Sequence, residues 1–268
     1  MNIIFSEYRK NYTTYTFGYA VYAIPDSLDE YEDVYAKGFL PYTGDTTLRN
    51  PMFYMARSFR INLSRYVESS ENRRVNRKAE PFAMTLDIIA KESFDLTDTA
   101  FIDFCTNYAE ERFSGGSMSR ERLLYVLYHP NCTHIAIARS NERIMGYIVL
   151  GIHGAGTAKS CMQYWFAFFD TSLMEHFPVG KWMMGSVIRH AKEQSMAFVY
   201  LGTCYTEKAL YKTRDFSGGE CFIGNMWSPD MELLKTLCKR DSADTDIESD
   251  LFKDPAFSSA HSMYRSEQ

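Results

Sequence analysis

Gln163-Tyr-Trp-Phe-Ala-Phe-Phe169 with Asp170, then Phe177-Pro-Val-Gly-Lys-Trp-Met-Met-Gly185, then Ala197-Phe-Val-Tyr-Leu201 before Gly202 make the segment whose reading decides the fold. The two outer runs are short, aromatic and β-branched, as buried strands tend to be. Between them Trp182, Met183, Ser186, Val187 and His190 recur at helical spacing, which predicts an amphipathic helix ending near Gln194. A crossover helix between neighbouring strands implies that the strands are parallel. Asp170 and Gly202 then stand at the carboxyl ends of the two strands, where open α/β sheets collect ligands.

On the N-terminal side, His134-Ile-Ala-Ile-Ala-Arg139 and Ile144-Met-Gly-Tyr-Ile-Val-Leu150 flank Ser140-Asn-Glu-Arg143 and read as a hairpin. The hairpin feeds an antiparallel meander into the Cys161 strand. Two helices come before it. One is capped by Thr97 or Asp98 and carries Phe101, Phe104, Cys105, Tyr108 and Ala109 on one face; the other runs from Arg120 to Tyr128. Earlier still, Tyr12 to Ile24 reads as a strand stopped by Pro25, and Asp26 or Ser27 caps a helix to about Lys37. Phe59-Arg-Ile-Asn-Leu63 reads as a strand, and Ser69 or Ser70 caps a helix bearing Arg73, Arg74, Arg77 and Lys78. After Lys212, Gly218 to Gly224 suggests a final strand and Asp230 to Leu237 a short helix.

These motifs resemble, in order and spacing, the arginyl-tRNA–protein transferases and their bacterial leucyl-transferring relatives. The resemblance rests on Phe168-Phe-Asp170, the Gly180 helix start, Tyr200-Leu-Gly202 and Lys208-x-x-Tyr-Lys212, and extends to Ala36-Lys-Gly-Phe39 and Arg112-Phe-Ser-Gly-Gly-Ser-Met118. It implies an α+β (α/β) fold: a GNAT-like mixed sheet with a crossover helix, preceded by a smaller N-terminal α+β region. The expected division is residues 1–85 for that region with its basic stretch, 86–239 for the transferase domain, and 240–268 for an acidic flexible tail. The implied activity moves an amino acid, arginine or leucine, from aminoacyl-tRNA to the N-terminal amine of an acceptor protein, in the manner of N-degron pathways.

The chain departs from the family at two places. Asn50, Phe53 and Ala56 stand where the family carries a cysteine cluster, and none of them offers a thiolate. No metal, iron–sulfur centre or other cofactor is therefore expected beyond the aminoacyl-tRNA co-substrate. Phe113 replaces a histidine of the family's glycine-containing element.

Aminoacyl transfer asks for positioning and proton management, because the ester is already activated. By the resemblance, the catalytic candidates are Asp170, Tyr211 and Lys212. Asp170 would hold a substrate amine or accept its proton, or else cap the turn after its strand. Tyr211 and Lys212 would orient the ester or stabilise oxyanion charge. Phe166, Phe168, Tyr200, Gly202 and Arg112 are the substrate-binding candidates, with Trp165 beside them. Arg73, Arg74, Arg77, Lys78 and Lys208 are the tRNA-binding candidates, against the alternative of a solvated basic face.

The 268 residues carry a net charge of −5, so no general basic field recruits nucleic acid, and tRNA contact must be local. Aromatic residues make up 15% of the chain, enough for a packed core or for stacking faces around a ligand. The six cysteines include no C-x-x-C pair and read as reduced thiols of a cytoplasmic protein. No apolar run approaches the roughly 20 residues of a membrane span, and the apolar core of Met1-Asn-Ile-Ile-Phe-Ser-Glu-Tyr-Arg-Lys10 is too short for the one expected of a signal peptide. Two other functions compete with aminoacyl transfer. An acyl-CoA-dependent N-acetyltransferase would need small residues where Trp182 and Met183 stand, and a non-catalytic binding module would need no chemistry at all.

Overall fold

The structure is a computed structural model that describes residues 1–13, 15–112 and 118–243. Phe113, its neighbouring glycines and residues 244–268 of the acidic tail lie outside the described residues.

The strands are β1 (Asn2–Asn11), β2 (Thr16–Ile24), β3 (Phe39–Pro41), β4 (Phe53–Met55), β5 (Ser58–Asn62), β6 (Met84–Ala90), β7 (His134–Ser140), β8 (Arg143–His153), β9 (Cys161–Phe169), β10 (Phe198–Thr203), β11 (Gly219–Ile223) and β12 (Met226–Ser228). The helices are α1 (Tyr31–Ala36), α2 (Ser70–Ala79), α3 (Thr99–Arg112), α4 (Arg120–Tyr128), α5 (Val179–Glu193), α6 (Tyr211–Asp215) and α7 (Met231–Ser242).

The larger sheet has the order β12-β11-β5-β10-β9-β8-β7-β6. Strands β6 to β9 form the antiparallel meander, and α5 crosses over so that β10 lies parallel to β9. This is a GNAT-like mixed sheet.

Helix α5 buries Val179, Trp182, Met183, Val187, Ile188 and Ala191 against the face of the sheet lined by Ile148, Leu150, Met162 and Leu201. The opposite face is covered by α3 and α4, through Phe101, Cys105, Leu123 and Leu127 against Ile135, Val149 and Phe168. Asp98 caps α3 by accepting from the Ala100 amide, and Ser69 caps α2 in a reciprocal capping box with Asn72.

A second sheet, β1-β2-β4-β3, packs with α1 on the Cys161–Tyr200 end of the larger one. Phe53 is wholly buried there between Tyr31, Tyr35 and His129. Packing therefore fills the position at which the resemblance implied a cysteine.

Strand β5 lies between β10 and β11, in the middle of the larger sheet, and β6 forms its far edge from Met84 onward. The sheet thus runs across the residue 85/86 division expected from the sequence. At its centre Arg60 lies between the rings of Phe198 and Trp227, 3.8 and 4.0 Å from their centroids, and pairs with Glu220 at 2.6 Å. Helix α7 also runs past the expected Leu237, and Asp241 pairs with Arg57 at 2.7 Å rather than beginning a tail. Among the described residues, no helix is long and apolar enough to cross a membrane.

Candidate active site

Strands β9 and β10 pair only at their beginnings, where Cys161, Met162 and Gln163 face Phe198, Val199 and Tyr200. Two local irregularities then separate them. In β10 the register against β5 shifts between Tyr200 and Thr203, and Gly202 takes a φ of +80°, a conformation that favours glycine. In β9 the register against β8 shifts so that Tyr164 and Phe166 face Leu150 and Val149, leaving Trp165 as the extra residue. The strands part, and a cleft of about 720 Å³ opens between them.

One wall of the cleft is Gln163, Tyr164, Trp165 and Phe166 of β9, with Met184 of α5. A second is Leu201, Gly202 and Thr203 of β10, with Tyr211 and Lys212 of α6. The smaller sheet closes it with Tyr19 to Tyr22, Leu40 to Gly44, Tyr54 and Met55, and α4 adds Arg122. Of these described lining residues only Arg122 and Lys212 are charged, and none is a carboxylate.

Lys212 is buried, and its Nζ donates to the Thr203 carbonyl at 2.7 Å. Burial lowers its pKa to about 8, partly offset by the nearby Cys204 and Cys238. One of its three N–H donors is used by Thr203, which leaves two for a ligand. Tyr211 is 39% exposed, yet desolvation around its hydroxyl still raises the pKa, so it is a neutral donor near neutral pH.

Gln163 is buried, its Nε2 donating to the Tyr164 carbonyl at 3.3 Å while its Oε1 has no hydrogen-bond partner. A buried amide oxygen left without a donor is costly. Arg122 donates to the Thr43 hydroxyl at 2.7 Å on the opposite wall.

Of the residues singled out from the sequence, Phe166, Gly202, Tyr211 and Lys212 meet at this cleft. Phe168 and Tyr200 do not line it. Phe168 is wholly buried against Tyr108 and Phe166, and Tyr200 packs against Tyr35 and edge-to-face with Trp227. Phe168 enters the core between the larger sheet and α3, and Tyr200 the core shared with the smaller sheet. Arg112 is exposed at the end of α3, away from the cleft.

Asp170 also lies outside the cleft lining. Its Oδ1 accepts from the amide and hydroxyl of Ser172 at 3.0 and 2.5 Å, and its Oδ2 accepts from Arg143 at 2.7 Å. It caps the short 3₁₀ turn Thr171–Glu175.

On α2, Arg73, Arg74, Arg77 and Lys78 are all exposed. Arg74 makes a bidentate pair with Glu71, and Arg73 donates to the Glu68 carbonyl. Lys208 is exposed on the turn before α6.

The fold is a GNAT-like mixed sheet with a crossover helix. No protein-family model matches the chain, and no curated protein matches it. Among solved structures, the C-terminal DUF2156 domain of a putative lysylphosphatidylglycerol synthetase from Agrobacterium fabrum is 14% identical over 72% of this chain and 57% of its own, with a TM-score of 0.43. L-PGS from Bacillus licheniformis is 12% identical over 65% of this chain and 51% of its own, with a TM-score of 0.38. The aminoglycoside acetyltransferase meta-AAC0020, from an uncultured soil metagenomic sample, is 15% identical over 51% of this chain and 86% of its own, with a TM-score of 0.35. The chain thus spans little more than half the length of the first two.

The start of α5 is where an acyl-CoA enzyme would cradle pyrophosphate. Here a Cβ on Gly180 would lie 3.0 Å from the Phe169 ring, so this glycine serves helix–strand contact. Lys181 beside it is held by Asp215 and Glu71 at 2.9 and 3.0 Å. The cleft residues that the sequence reading passed over are Gln163, Thr203, Met184, Arg122 and the tyrosines of the smaller sheet. Gln163 left one usable signal: it is an uncharged polar residue heading an otherwise apolar strand.

Proposed function

We propose that the cleft carries out aminoacyl transfer from a charged tRNA to an amine, with an apolar aminoacyl group as donor and an N-terminal amine as acceptor. The observation that carries this reading is the combination of a buried, pKa-lowered lysine with an aromatic pocket at the parting of β9 and β10 whose other charged lining residue is Arg122 and which has no carboxylate among its described lining.

Lys212 is the candidate electrophilic and proton-handling group. The acceptor amine attacks the ester carbonyl, forming a C–N bond and a tetrahedral oxyanion. The Lys212 ammonium stabilises that charge and gives a proton to the leaving ribose oxygen as the C–O bond breaks. The proton released by the attacking amine restores it. A pKa of about 8 suits both halves of this exchange near neutral pH. Tyr211 supplies a second neutral donor, and Gly202 leaves its side of the cleft without a side chain.

The two cations also favour a neutral, nucleophilic acceptor amine, because nearby positive charge disfavours its protonation. Arg122 suits an acidic residue at the acceptor N-terminus. Trp165, Phe166 and Met184 offer apolar contact to the transferred side chain. With no carboxylate among the described lining residues, an arginine side chain would have no counter-charge there, so leucine fits better than arginine.

The test is transfer of labelled amino acids from a mixed, fully charged tRNA pool to peptides beginning with Asp, Glu, Lys or Arg, beside a parallel reaction with acetyl-CoA. Leucine or another apolar residue on the acidic peptides is the expected product. Arginine as the transferred residue would overturn the donor assignment. Label from acetyl-CoA alone would overturn the aminoacyl reading.

A further inference from the structure

Strands β1 and β2 form a long hairpin that leaves the body of the protein. Exposed large apolar side chains concentrate on it: Phe5 is 65% exposed, Tyr8 and Tyr12 69%, and Tyr15 80%. Elsewhere in this protein most aromatic rings are buried or half-buried in the cores, so this stretch stands apart.

The register decides which of these rings act together. Phe5 lies opposite Val21, and Lys10 opposite Phe17. Residues 17, 19, 21 and 23 therefore share one face of β2. Along that face Ala23 is buried in the core, Val21 and Tyr19 line the cleft, and Phe17 continues outward. Rings are paired edge to face along the arm, Phe5 with Tyr19 at 6.5 Å and Tyr12 with Phe17 at 5.7 Å. The face carrying Val21, Tyr19 and Phe17 thus continues from the cleft onto the arm as a largely aromatic surface, with Glu7 opposite Tyr19 and accepting from its hydroxyl at 3.5 Å.

Its chemistry is that of a stacking platform. It is built mainly of tyrosine and phenylalanine, with the exposed Lys10 and Glu7 among them. Stacking rings with a neighbouring cation hold unpaired bases without reading their sequence. From Tyr19 to Thr16, the first residue of β2, the strand advances about 10 Å. At about 3.4 Å per stacked nucleotide that length takes about three bases, a run of the size of the unpaired acceptor end of a tRNA. A ligand whose terminal ester reacts in the cleft would lay those bases along the arm.

We infer that the β1–β2 hairpin binds the single-stranded 3′ end of the donor tRNA by base stacking and guides the terminal ester into the cleft. This rests on the aminoacyl-transfer reading for its choice of RNA, but its test does not depend on transfer. The edge of β1 is unpaired and open to strand addition, so a second copy of this chain is the competing occupant.

The experiment uses the full chain and two labelled RNA minihelices, one ending in an unpaired ACCA and one blunt. Anisotropy titrations compare wild type with the double variant Tyr12→Ser, Phe17→Ser and with the conservative pair Tyr12→Phe, Phe17→Tyr. Wild type is expected to prefer the tailed RNA. The serine pair should weaken that binding about ten- to hundred-fold, and the conservative pair should keep it. These side chains are exposed, and unchanged thermal melting confirms intact folding. Equal binding of tailed and blunt RNA by wild type, or full binding by the serine pair, overturns the inference. Self-association that the serine pair abolishes, with RNA binding unchanged, assigns the arm to a second copy instead. Transfer from a short aminoacyl-adenosine ester, which cannot reach along the arm, judges the catalytic reading separately. Its failure beside a tailed-RNA preference would remove the chemistry and leave the arm.

Discussion

Replacing Lys212 by methionine separates function from stability in opposite directions. In the folded protein burial lowers the Lys212 pKa from 10.5 to about 8. At about 1.4 kcal/mol per pKa unit, keeping this lysine protonated in the fold costs about 3 kcal/mol at neutral pH. The folded pKa is the lower one, so the cost is complete below pH 8 and disappears as pH rises towards 10.5. Methionine has a similar shape and no charge to desolvate, but it leaves the Thr203 carbonyl without its 2.7 Å donor, a loss of about 1–3 kcal/mol. The variant should therefore be as stable as wild type or up to about 2 kcal/mol more stable at pH 7. Transfer should fall about a hundred- to a thousand-fold, the cost of removing one oxyanion donor. Wild-type turnover should decline above pH 8 as the ammonium is lost, and the residual activity of the variant should not. Urea unfolding at pH 7 and single-turnover transfer between pH 6 and pH 9.5 measure both effects. Wild-type turnover in Lys212→Met, or a variant that keeps the decline above pH 8, would refute the assignment.

Two further outcomes follow from the geometry. His129 and His153 are buried beside Asn131, Tyr31 and Tyr35, and burial lowers their pKa values to about 4 and about 3. Both folded values lie below the ordinary 6.5, so their contribution is present above that pH and is lost as pH falls. At pH 5 each should cost about 2 kcal/mol, read as a lower urea midpoint than at pH 7. His153→Gln, which keeps a donor for Asn131, should remove about half of that difference, and an equally steep loss in the variant would contradict the assignment. Asp170→Asn keeps a residue able to cap the turn and loses only the pair with the exposed Arg143, so destabilisation should stay below about 1 kcal/mol. Transfer should persist, and its abolition in a folded variant would return Asp170 to the chemistry.

The centre of the fold was legible because its signals are local. The Gln163–Phe169 run, the α5 periodicity and the Ala197–Leu201 run each announce their element within a short window, and their order forces the parallel crossover of β9 and β10. Strand β5 was recognised as a strand but not as a neighbour of β10, because Ile61 meets Val199 across about half of the chain's length. Strands β3 and β4 were too short to leave a periodic signal. Strand β1 has aromatic residues on a largely exposed hairpin, where no burial imposes a clear alternation.

The candidate site divides along the same line. Sequence alone determined the residue types at the ends of β9 and β10, including Gly202, Tyr211 and Lys212, because each follows directly from an element that declares itself locally. Tertiary structure decided which of them share a cleft. The Trp165 bulge, the Gly202 bend and the arrival of the smaller sheet part the strands, enclose Lys212 and leave Asp170 outside. Charge state followed from that enclosure: a lysine in a polar turn reads as solvated, and only the surrounding side chains remove the water that would hold its pKa near 10.5.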